Sequence, residues 1–218
     1  MDDLLDDEQA ARPVGPPARY RLITPTEWFR IPLVADDARD RAVRALVDLT
    51  WPSRDEHAAK RRELRELIGD VAREGAAKDG LEMYLSTQTV LGVPVPASLL
   101  ISMEAEERGR NLQLPYDGLA EDLREKYPTA QVDLTDLPAG RAVRCRRTEV
   151  PEDAVELGVS EQRPTTLLEY FVQVPNAGLY LLLTFSTPLP ELADALVEMF
   201  DAIAASLSWI PAPTAQGG

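Results

Sequence analysis

The sequence predicts an α+β fold, a mostly antiparallel sheet with helices on both faces. Two observations carry this. Pairs of short β-rich runs alternate with amphipathic helical stretches along the chain, the order expected of hairpins in an antiparallel sheet. The apolar helices are also too many to fit on one sheet face. The clearest stretch is the last third. Residues 165–174 and 179–186 are two strands around a Pro-Asn-Ala-Gly turn, and 188–209 reads as one long helix. Its apolar stripe is Leu189, Leu192, Ala193, Leu196, Phe200, Ile203, Ala204 and Leu207.

The remaining elements follow in order. Residues 1–18 are acidic and then proline-rich, which predicts a disordered tail. Its Leu4-Leu5 pair is a docking candidate, with an inert tail preferred. Residues 20–23 and 28–33 are short strands that suit a hairpin, or one strand leading into a second. Trp28 and Phe29 fall on opposite faces, so one of them belongs to the core. Asp36-Asp37 opens a helix to about residue 49, with acids at the positive end of the dipole. Its stripe is Ala42, Val43, Leu46, Val47 and Leu49. Pro52 breaks it, and Ser53 can cap a second helix over 54–77. That helix carries Leu64, Leu67, Ile68 and Val71 on its apolar side, and Arg61, Arg62, Glu63 and Glu66 on a solvated one.

Residues 81–91 and 97–103 form the next strand pair, joined by Gly-Val-Pro-Val-Pro at 92–96. Leu81, Met83 and Leu85 alternate with Glu82, Tyr84 and Ser86, as in a half-buried strand. A short helix over 116–126 stops at Tyr127-Pro128. Residues 131–134 are weakly strand-like. Residues 141–148 are a better strand, with Val143 and Cys145 facing one way and Arg144 and Arg146 the other. Residues 151–164 read as an acidic loop. No repeat or linker divides the chain. The expected organisation is a tail at 1–18, one domain at 19–210 and a flexible tail at 211–218.

Charge narrows the function classes. The net charge is −14, which repels phosphate backbones and anionic lipid. Nucleic acid and membrane surfaces are therefore not expected as partners; a protein partner, of basic character, is. The single cysteine forbids an internal disulfide. No apolar run reaches the length of a membrane span, and the acidic start is the reverse of a signal peptide, so a cytoplasmic location is expected. Lysine occurs only at 60, 78 and 126, and this arginine bias with abundant alanine suggests a GC-rich bacterial genome.

Catalytic side-chain types are scarce. His57 and Cys145 are the only residues of their kinds, so a His/Cys zinc site is not expected and any nucleophilic triad would have to pass through His57. His57 is expected at the surface, and Cys145 as a small buried apolar residue. The acids at 2–8 lack the spaced glycine of a calcium loop. Glycine-rich nucleotide cradles are absent. Glu104, Glu106, Glu107, Glu152 and Asp153 read as solvated loop acids. No cofactor, metal or catalytic residue is expected. Two features remain as partner-binding candidates. Arg141, Arg144, Arg146 and Arg147 share one strand, either paired internally or forming an edge-strand patch for an acidic peptide or phosphate. Val93, Pro94 and Val95 form an apolar tip, either tucked on the sheet or exposed, with tucking preferred.

Three stretches resemble Mog1/PsbP-like proteins. They are Leu-Leu-Leu-Thr-Phe-Ser-Thr-Pro at 181–188 with Phe-Asp-Ala-Ile-Ala-Ala-Ser-Leu-Ser-Trp at 200–209, Pro-Thr-Glu-Trp at 25–28, and Leu-Pro-Ala-Gly-Arg-Ala-Val at 137–143. The two helices at 36–77 are longer than the compact family core. The resemblance implies a three-layer α/β/α sandwich with a mostly antiparallel central sheet. Members of that fold are accessory or adaptor proteins, and no shared catalytic residues carry over. The expected function is a non-catalytic, cytoplasmic protein-interaction module, with an adaptor or immunity protein of a bacterial secretion or toxin system favoured. The alternatives are a small-ligand-binding protein or carboxylate/arginine-based enzyme, and a structural assembly component. The oligomeric state is open.

Overall fold

Alternation of side chains along each strand and the pairing between strands set what each face of the sheet can hold. The computed structural model describes residues 19–51, 55–104, 116–150 and 164–211. The described strands are β1 (Arg19–Arg21), β2 (Trp28–Pro32), β3 (Gly80–Ser86), β4 (Thr89–Val90), β5 (Val93–Pro94) and β6 (Ser98–Glu104). They continue with β7 (Gln131–Leu137), β8 (Gly140–Glu149), β9 (Thr165–Gln173), β10 (Tyr180–Thr187) and β11 (Ser208–Ile210). The helices are α1 (Asp36–Thr50), α2 (Ala58–Ala77), α3 (Tyr116–Lys126) and α4 (Ala193–Ala205). Seven strands form one antiparallel sheet in the order β2-β3-β6-β10-β9-β8-β7. The α+β sandwich with helices on both faces, as expected, is the architecture found.

One face is sealed by α4. Leu196, Val197, Phe200, Ile203 and Ala204 pack on Leu99, Ile101, Leu168, Tyr170, Leu181, Leu183 and Phe185. The opposite face carries two separate helix packs. Near one edge, α1 and α2 cover Ile31, Leu33 and Met83 with Val43, Leu46, Val47, Ile68 and Ala72. Near the other, α3 covers Val132, Val143, Cys145 and Phe171 with Ala120 and Leu123. No helix among the described residues is long and apolar enough to cross a membrane.

Several local expectations give way to tertiary contacts. The strand at 19–21 does not form a hairpin with 28–32. It pairs with β11, and β2 pairs with β3. The final helix therefore ends at Ala205 and does not run to 209. Ser206 Oγ accepts the Ile23 N–H at 2.8 Å, and Trp209 Nε1 donates to the Ala139 carbonyl at 2.7 Å. A pairing partner 187–191 residues upstream is invisible to helical periodicity. Strand 131–134 extends to Leu137. The strand expected over 81–91 stops at Ser86, and its last part joins the expected link at 92–96 in the small β4–β5 hairpin. Residues 1–18, Ser53, the 151–163 loop and the end of the C-terminal tail lie outside the described residues.

The stripe of α2 is also rotated from the expected one. Leu67 and Val71 are exposed, and the sheet-facing line runs through Leu64, Ile68, Ala72 and Gly75. Small residues let this helix approach closely. A Cβ on Gly75 would sit 3.3 Å from Leu33, and one on Gly80 would collide with the Gly75 carbonyl. Leu49 of α1 is exposed for the same reason of helix placement. Trp28 is core on the α4 side, while Phe29 packs partly on the α1–α2 side. Tyr84, expected on an open face, is buried because helices cover both sides of β3.

Candidate functional site: a groove between two helix packs

A single register row crosses the whole sheet: Ile31, Met83, Leu100, Thr184, Glu169, Cys145, Val132. Directly paired residues share a face, so all seven side chains lie on the side of α1, α2 and α3. The row is apolar under the helices and polar between them, at Thr184 and Glu169. The neighbouring row repeats the change, with Ser98 and Ser186 in the middle, their hydroxyls 2.7 Å apart. Along β10 the contrast between faces is sharp. Leu181, Leu183 and Phe185 are buried under α4, whereas Leu182, Thr184 and Ser186 are half-buried. The centre of the helix face is thus a groove floored by small polar side chains.

The groove opens into two clefts. The upper one, about 730 Å³, lies between the α1–α2 end and the β4–β5 hairpin. Its lining is mainly apolar, with Leu46, Leu49, Leu64, Leu85, Pro94 and Pro188. The lower one, about 1300 Å³, lies by the start of α1 and the end of α2. It is lined by Asp36, Arg39, Lys78, Asp79, Glu104 and Glu169 among others.

Glu169 is the least expected of these. It is 9% exposed on a strand whose neighbours are apolar. Arg147 bonds its carboxylate, donates to Glu149 at 2.8 Å and lies 4.5 Å from the Tyr127 ring centre. Burial pushes the Glu169 carboxyl above the usual carboxylate range, and Arg147 offsets this only in part. The alternative of carboxylate/arginine chemistry required an arginine from 141–147 to meet a buried acid in a concave site. Glu169 lines the lower cleft, and Arg147 pairs with it, so each charge is engaged by the other.

The four arginines do not form a patch. Strand β8 lies between β7 and β9, so it is not an edge strand. Arg144 makes a bidentate pair with Asp201 at 2.9 and 3.0 Å, and Arg146 reaches Asp194 at 2.5 Å, both on the α4 side. Arg147 and Arg141 lie on the other face, Arg141 at 3.9 Å from Asp117. The apolar tip divides as well. Val95 is buried in the core, Pro94 lines the upper cleft, and Val93 is 65% exposed beside a fully exposed Leu91.

Cys145 is buried, as expected from its strand face. Burial, and then the Glu169 charge, push its thiol up to about 11. The unfolded chain loses this proton from about pH 8.5. The stability contributed by the neutral thiol is therefore fully present below that value and is lost as pH rises through 11. At pH 8, iodoacetamide labels the folded protein far more slowly than the urea-unfolded chain; equal rates would contradict this burial. His57 is half-buried, not free at the surface, with its ring 5.0 Å from Trp51 and Nε2 3.4 Å from Glu56. No group of three metal-ligating residues occurs among the described residues.

Glu169, Thr184 and the serines of the floor were missed as a site by sequence reasoning. A signal existed: one acid inside Thr-Thr-Leu-Leu-Glu-Tyr-Phe-Val, and polar residues at every second position late in β10.

The described residues form a helix-covered antiparallel sheet with a groove on one face. No family model matches the chain, and no curated protein does. Three solved structures are similar in fold. LpqN, involved in cell envelope biogenesis of Mycobacterium tuberculosis, matches with a TM-score of 0.47 and 11% identity, over 88% of this chain and 83% of that one. The Saccharomyces cerevisiae Ran-binding protein Mog1p matches with 0.39 and 10%, over 60% and 79%. Cyanobacterial PsbP from Synechocystis sp. PCC 6803 matches with 0.33 and 12%, over 87% and 86%. At 10–12% identity these are likenesses of fold alone, and no residue role carries over from them.

Proposed function

We propose that this chain is a non-catalytic protein-interaction module that seats a segment of a partner protein in the groove. The observation that carries this is the incomplete cover of the sheet's helix face among the described residues, where Leu182, Thr184 and Ser186 are only half-buried while the other side of β10 is sealed. An apolar rim supports it: Leu49 is 64% exposed, and the β4–β5 hairpin presents Leu91 and Val93 beside the upper cleft. Within this class we favour a cytoplasmic adaptor or immunity protein of a bacterial secretion or toxin system. The net charge of −14 supports a basic partner, since complementary charge speeds encounter and selects against acidic competitors.

A photo-crosslinking residue placed at Leu49 or at Leu91 tests the proposal in a lysate of the native host. One discrete protein adduct is expected from both positions, and none from a control position at Glu63 on the far side of α2. Absence of an adduct at both rim positions, or equal labelling at Glu63, counts decisively against the module.

A further inference from the structure

The two ends of the groove differ in chemistry, and that difference describes an occupant. We propose that the groove binds an amphipathic helix of a partner protein, with apolar side chains in the upper cleft and a Lys or Arg end beside Asp79 and Glu104. This rests on the groove being the docking surface proposed above.

The floor excludes an extended strand. A strand docks by adding to an unpaired sheet edge. The floor strands β6, β10 and β9 are each paired on both sides, so they offer no free backbone groups. A helix satisfies its own backbone and needs only side-chain contact. The width agrees. Leu100 and Cys145 are three strand spacings apart in the register row, about 14 Å at about 4.8 Å per spacing. A helix with its side chains is about 10–12 Å across. The length agrees with a short helix, since the seven residues of β6 span about 20 Å, or about 14 helical residues.

Charge sets the direction. In the lower cleft the cations are already engaged: Arg39 pairs with Asp36 at 2.9 Å and Lys78 with Glu74 at 2.6 Å. Asp79 and Glu104 line the same cleft and have no ion pair among the described residues, whereas Glu169 is held by Arg147. The upper cleft presents Leu46, Leu49, Leu64 and Pro94 and lacks a charged lining residue. An occupant is therefore drawn with its basic end down and its apolar face up.

A display library of peptides of about 14 residues, selected on the full chain, tests this. Enriched sequences are expected to carry apolar residues at helical spacing and Lys or Arg clustered at one terminus. The best peptide is then measured against the Asp79→Asn/Glu104→Gln variant, in which Asn tolerates the positive φ of residue 79. Its affinity is expected to fall about tenfold and to lose most of its salt dependence. The exposed Leu49→Asp variant is expected to weaken it similarly from the other end. Enriched peptides without a terminal basic cluster, or affinity unchanged in the double variant, overturn the proposal. No enrichment with adducts still recovered through Leu49 and Leu91 overturns the helix and leaves the interaction module standing. Failure of both removes the module as well.

Discussion

Replacing Phe200 with Ala lowers stability by about 3–5 kcal/mol, measured by urea unfolding. Phe200 is fully buried at the centre of α4, its ring stacked on Phe185 at 5.0 Å and edge-on to Trp28 at 6.1 Å. It is held by residues from β2, β10 and α4, so the neighbourhood has little freedom to collapse into the space left behind. The conservative Phe200→Leu change is expected to cost less. The exposed Leu67→Ala change, on the opposite layer, is expected to stay within about 0.5 kcal/mol. A loss below about 1 kcal/mol for Phe200→Ala would mean that α4 does not seal this face.

The second large effect lies at the floor of the groove. Arg147→Met is expected to destabilise by about 3–5 kcal/mol, because it leaves the Glu169 carboxylate enclosed without its cation. The side chains of Arg147 and Glu169 are only 10% and 11% exposed, so water cannot replace the lost partner well. The double change Arg147→Met/Glu169→Leu should recover most of the loss, since it removes both charges and keeps comparable volume. The sign of the pH dependence follows from the raised Glu169 carboxyl. A carboxyl whose folded value lies above its unfolded one contributes stability below the ordinary carboxylate value, and that contribution is lost as pH rises through the folded value. In Arg147→Met the upward push is stronger. The deficit of this variant should therefore shrink on acidification. An equal deficit at every pH, or a double variant as unstable as the single one, would show that the pair is not what holds this part of the sheet.

Most of the sheet was readable along the chain. The alternation in β9 and β10, the acids opening α1 and the stop at Tyr127-Pro128 each act within a few residues of where they stand. What failed to read was non-local. Ser208–Ile210 continues a good helical pattern and yet forms a strand, because β1 offers it backbone partners. Leu67 and Val71 look like core and are exposed, because Ala72 and Gly75 set which side of α2 touches the sheet. The arginines of β8 looked like a cluster, and the register divides them between two faces with different acids. The groove was the least legible feature. Its floor residues are far apart in sequence, and Ser98, Glu169 and Thr184 meet only through strand pairing.

By itself the amino-acid order determined the class of fold, the near-absence of catalytic side-chain types and an acidic surface, because propensity, periodicity and charge are properties of neighbouring residues. Only the tertiary structure decided where the covering helices stop. Among the described residues no helix covers the two strands between α2 and α3, which is a matter of packing geometry over the whole sheet that no local pattern encodes.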